Sequence, residues 1–140
     1  MSTKNFRVHA PGPYGAKQAS EFNYSQIFEA GGRVEMSGQG GYHPETLDYP
    51  PGVTIEQEVA RAFDNVTFML GAIGLDWSNV AHVNTFHRPE PDGYILAATA
   101  EVVKQFASRM PHHKPTWTAL GVAVLGDPGM RVEISVVAFR

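Results

Sequence analysis

From Thr54 to Gly74 apolar residues recur by threes and fours, with Val59, Ala62, Phe63, Val66, Met69, Leu70 and Ile73 forming one continuous stripe. Such a stripe demands another layer to lie against. Thr54 with Gln57 at the third helical position writes a reciprocal capping box for its start, and Gly74 offers the left-handed residue that closes many helices. A second helix is expected from about Tyr94 to Arg109, where Ile95, Ala98, Val102 and Phe106 share one side before Pro111 and Pro115.

Strand patterns flank the two helices at Tyr24–Phe28, Arg33–Ser37, Val80–Phe86, Thr116–Leu125 and Met130–Phe139. In the last of these, Val132, Ile134, Val136 and Ala138 alternate with Arg131, Glu133, Ser135 and Val137. The order strand-strand-helix-strand-helix-strand-strand predicts an α+β layer, a mixed sheet with one face buried under two helices. The other face would expose apolar side chains from several strands, which points to self-association.

The 140 residues, 43% hydrophobic and 18% charged with 14 Gly and 10 Pro, read as a single domain over 1–140, with 1–20 as an N-terminal extension or irregular arm. A formal net charge of −3 with scattered basic residues argues against a nucleic-acid partner. There is no cysteine, which removes disulfides, thiolate nucleophiles and Cys-based metal sites. No segment reaches the roughly 20 apolar residues of a membrane span, and the first residues lack the apolar core of a secretory signal, so no membrane partner and a cytoplasmic location are expected.

Chemistry has few candidates in this composition. The stretch Ser37-Gly38-Gln39-Gly40-Gly41 does not open into a helix and so is not a dinucleotide fingerprint, although its glycines allow a ligand close to the backbone. His82 and His87 lie an odd number of residues apart in a strand, on opposite faces, and His112 and His113 sit in a proline-flanked loop; no metal is expected. Glu133, a carboxylate in the middle of the most hydrophobic strand, is either on a wet face or a partly buried acid or base.

Several segments together resemble the Rid (YjgF) family of reactive-intermediate deaminases: Tyr24-Ser25-Gln26, Gly32, Ser37-Gly38-Gln39, the helix carrying Asp64-Asn65-Val66, Asn84-Thr85-Phe86, Pro115 before its strand, and Val132-Glu133-Ile134. The resemblance implies a chorismate-mutase-like fold assembled as a homotrimer with clefts between subunits. It also implies hydrolysis of an imine or enamine to a carbonyl compound and ammonia without a cofactor. On this resemblance Tyr24 lines the cleft, Gly38 offers its backbone N–H to the ligand, Glu133 holds the water, and Phe86 and Ala119 count among the ligand-binding residues.

Departures from the family pattern bear on the substrate. Two residues after Pro115, where deaminating members carry a carboxylate-clamping arginine, stands Trp117, and two further on Ala119 replaces their cysteine. The asparagine of the second helix is missing from Leu96-Ala97-Ala98-Thr99. Loss of a desolvated bidentate pair costs on the order of a few kcal/mol, so a simple 2-imino acid is not the expected substrate. Arg131 and Arg88 are the candidate replacement cations, and Trp117 suggests an apolar wall for an aromatic or uncharged small molecule. The competing expectation is a non-catalytic trimeric small-molecule-binding or chaperone-like protein; a ribonuclease fits poorly with the acidic balance.

Overall fold

The computed structural model describes residues 4–140. Thr54 caps α2 (Ile55–Ala72): its hydroxyl accepts from the Gln57 backbone N–H and the Gln57 side chain returns the bond, as the sequence predicts. Gly74 follows the helix end at φ +77°. The stripe enters the core, where Val59, Ala62, Phe63, Val66, Met69 and Leu70 are fully buried. They meet α3 (Leu96–Arg109) and the inward residues of the sheet.

Among the described residues the sheet has seven strands: β1 (Arg7–His9), β2 (Ile27–Ala30), β3 (Arg33–Met36), β4 (Gln39–Gly40), β5 (Val80–His87), β6 (Thr116–Gly121) and β7 (Val132–Phe139). Their order is β1-β2-β3-β7-β5-β6, with β4 also paired to β7. Every pairing is antiparallel except β5 with β6, which α3 joins as a parallel crossover. This is the mixed-sheet α+β architecture read from the sequence. Alternation along β7 sends Val132, Ile134, Val136 and Ala138 into the core and Glu133, Ser135 and Val137 to the opposite face.

Residues 4–20 of the expected irregular arm depart from that expectation, while 1–3 lie outside the described residues. The stretch supplies β1 and a third helix, α1 (Gly12–Phe22), so the sheet carries three helices rather than two. Pro11-Gly12-Pro13 reads as loop chemistry, yet proline within the first helical turn suits a helix start, where no intrahelical donor is needed. Asn23 ends α1 in the left-handed conformation at φ 57°, and the chain turns there through Tyr24 into β2. β6 also stops at Gly121, short of the expected Leu125. No helix among the described residues is long and apolar enough to cross a membrane.

Candidate functional site

Glu133, expected mid-strand, is the second residue of β7, near one end of the strand, and faces away from the core residues Val132 and Ile134. Its cross-strand neighbours are Phe86 on β5 and Gly40 on β4. Gly38, just before β4, lies so close to the Glu133 carboxyl that a β-carbon there would overlap it. At Gly40 a β-carbon would collide with the Tyr49 hydroxyl. The glycines of this segment therefore let its backbone run directly against side chains of the site.

Buried amides hold that segment in place. Gln39 Nε2 donates to Gln26 Oε1 at 2.7 Å and to the Ser37 carbonyl at 3.1 Å, while Gln39 Oε1 accepts from the Tyr42 hydroxyl at 2.7 Å. From α2, Asn65 Nδ2 donates to the carbonyls of Gly40 (2.8 Å) and Tyr42 (3.1 Å). Tyr14 of α1 stacks on Tyr42 with ring centroids 3.9 Å apart. Helix, loop and strand are thus tied around one point by groups too buried to exchange their bonds for water.

Glu133 opens into a hollow of about 320 Å³ lined also by Tyr14, Lys17, Gln18, Tyr24, Tyr49 and Asp127. Burial raises the pKa of Glu133 above the usual carboxylate value. The same cause, burial first, lifts the phenols of Tyr14, Tyr42 and Tyr49, so at neutral pH they are uncharged hydroxyls. Tyr24 donates its hydroxyl to Gln18 Oε1 at 3.1 Å. Among the described residues no side chain hydrogen-bonds to the Glu133 carboxyl, and Lys17, exposed on α1, is the cation lining the hollow. The arrangement offers a desolvated carboxyl, aromatic walls and one exposed ammonium.

Tyr24, Gly38, Glu133 and Phe86 thus come together, but the other expected ligand contacts lie elsewhere in the chain. Trp117 and Ala119 project to the helix-covered side of the sheet: Ala119 registers with buried Thr85, one residue out of phase with the Phe86 that neighbours Glu133. Trp117 Nε1 donates to Thr85 Oγ1 at 3.0 Å, and its ring meets Phe106 edge-on at 5.3 Å. Within one chain, then, Trp117 is not a wall of the Glu133 hollow.

Arg131 is also placed differently from the expectation. It precedes the first residue of β7, and its Nε donates to Oε1 of buried Glu58 at 2.8 Å, with Nη2 on the Val53 carbonyl at 2.7 Å. Arg88 donates to the Pro128 carbonyl at 2.8 Å. Both arginines line a neighbouring cavity rather than the hollow of Glu133. Tyr14, Lys17 and Tyr49 were missed as site residues. The Lys17 and Glu21 pair, four apart, was the available sign that the arm was helical.

The family model described as endoribonuclease L-PSP matches residues 15–140. The chain belongs to the YjgF/Rid family. Its similarity to the RutC family protein YjgH of Escherichia coli (strain K12) is 32% identity over 119 residues, covering 85% of this chain and 84% of that one. A 2-iminobutanoate/2-iminopropanoate deaminase of Dermatophagoides farinae is 34% identical over 125 residues, covering 89% and 86%. The solved structure of protein YjgH matches with a TM-score of 0.73 at 30% identity, over 94% of this chain and 93% of that one. Of the YjgF/Rid segments that carried the resemblance, Tyr24 and Glu133 line the hollow and Gly38 lies against the Glu133 carboxyl, with Tyr14, Lys17 and Tyr49 completing the walls.

Proposed function

We propose that this chain hydrolyses the C=N bond of a reactive imine, or of the imine formed by protonating an enamine at carbon, to a carbonyl compound and ammonia. The observation that carries the reading is the Glu133 carboxyl: desolvated, free of side-chain hydrogen bonds among the described residues, and open to a hollow large enough for a small molecule. Similarity to a 2-iminobutanoate/2-iminopropanoate deaminase supports it.

In this reading water adds to the iminium carbon while Glu133 takes its proton, giving a carbinolamine. The carboxyl then returns the proton to nitrogen, and ammonia leaves as the carbon–oxygen double bond forms and the hydroxyl proton passes to the Glu133 carboxylate. A carboxyl with a raised pKa suits both halves, because it binds and releases a proton closer to neutrality than an ordinary glutamate. Tyr14, Tyr24 and Tyr49 orient the ligand through ring faces and hydroxyls.

The substrate is one whose reacting carbon does not carry a carboxylate needing a bidentate clamp. No arginine lines the hollow, and Lys17 is an exposed point charge without the planar fork of a guanidinium. Chains assemble as a homotrimer through the open sheet face, where Val8, Phe28, Phe86, Val137 and Leu120 lie between polar residues.

The test is ammonia release from imines generated in place, with an aryl-bearing imine compared against 2-iminobutanoate. Faster release from the aryl imine is expected. Acceleration of neither would overturn hydrolysis, and a preference for 2-iminobutanoate would overturn the substrate class.

A further inference from the structure

Beside the hollow of Glu133, and sharing Tyr49 as a wall, lies a second cavity of about 330 Å³. Three arginines from separate parts of the chain line it: Arg61 on α2, Arg88 just after β5 and Arg131 just before β7. All three are half-buried. Glu58 is the carboxylate on the lining, and Arg131 already occupies both its oxygens, with the side-chain Nε on Oε1 at 2.8 Å and the backbone N–H on Oε2 at 2.7 Å.

That leaves two guanidinium groups without a counter-charge on the cavity wall. Arg88 has one carbonyl partner, Pro128. Arg61 has no side-chain hydrogen bond among the described residues, and its Nη1 is buried without any partner. A buried cationic donor left unpaired is costly, and gathering like charges in a partly desolvated cavity adds repulsion. Both costs vanish when an oxyanion enters, because the planar guanidinium fork matches a carboxylate or phosphate.

We propose that the cavity between Arg61, Arg88 and Arg131 binds the oxyanion group, a carboxylate or a phosphate, of a small molecule. The position next to Glu133 names a substrate class, and this step rests on the catalytic reading of Glu133: an imine whose anionic group lies remote from the C=N carbon, on the far side of Tyr49. Such a substrate needs no clamp in the hollow itself.

Calorimetric or NMR titration of the wild-type chain with inorganic phosphate, and separately with acetate, at low ionic strength tests the site. Saturable binding of one or both is expected, and the stronger of the two identifies the anionic group. Arg61→Met and Arg88→Met each weaken binding by roughly tenfold or more, as loss of a charge-assisted bond of a few kcal/mol requires. Glu133→Gln leaves it unchanged. Should Arg61→Met fail to fold, Arg88→Met, a cation nearer the surface turn, carries the comparison. Absence of saturable binding to either anion overturns the proposal, as does wild-type affinity in the folded arginine variants. Loss of phosphate binding in Glu133→Gln also overturns it, by placing the anion in the other hollow. Turnover by the wild-type chain is a separate readout: its absence with anion binding intact counts against the reading of Glu133 alone.

Discussion

The carboxyl of Glu133 rests against the bare α-carbon of Gly38, leaving no room for a side chain at that position. Gly38 has no left-handed backbone to explain it, so its demand is for space. Gly38→Ala forces Glu133 out of place while the surrounding Gln26, Gln39 and Asn65 bonds stay available. Turnover is expected to fall at least about tenfold, with a stability loss of roughly 1–3 kcal/mol typical of overpacking. Kinetics paired with urea unfolding check this; unchanged turnover in a folded variant contradicts the positioning of Glu133 by Gly38.

Burial of Glu133 has a consequence for stability against pH. Its folded-state pKa lies above the ordinary value of 4.5, so the fold favours the protonated form. The contribution is fully present below that ordinary value and is lost as pH rises through the raised one. Glu133→Gln, which stays neutral, should therefore melt at a higher temperature than wild type near neutral pH, with the advantage disappearing on acidification. An equal or larger advantage under acid conditions contradicts the assignment of the shift to burial.

Much of this architecture was legible because it rests on local periodicity. The stripe from Val59 to Ile73, the Thr54–Gln57 box and the alternation of Val132 to Ala138 each reflect interactions within one element, and the structure places them as read. Tyr24, Gly38 and Glu133 were singled out through family resemblance; Tyr24 and Glu133 line one hollow, and Gly38 lies against the Glu133 carboxyl. The side of the sheet that Trp117 takes was not legible, because it depends on the register of β6 against β5 after a crossover through α3, a non-local fact. Arg61, Arg88 and Arg131 converge only through tertiary packing. α1 was hidden by Pro11-Gly12-Pro13, whose loop-like composition conceals a proline suited to a first helical turn.

The proposed trimer rests on the open face of the sheet. Leu120 on the edge strand β6 is 49% exposed and Val8 on the opposite edge strand β1 is 52% exposed, an apolar rim that association would cover. Sedimentation or light scattering should give three times the 15.3 kDa of one chain at micromolar concentration. Leu120→Lys should shift the mass toward that of one chain. A monomer as the sole wild-type species contradicts the assembly.

The most direct measurement is the rate of ammonia release from an imine generated in place, compared between wild type and Glu133→Gln. Glutamine keeps the size of the side chain and removes its proton chemistry, and general acid–base assistance contributes about 100- to 10,000-fold. A folded Glu133→Gln variant with wild-type oligomeric mass and turnover reduced by at least about 100-fold is the predicted result. Turnover equal to wild type in that variant would contradict the assignment of catalysis to Glu133.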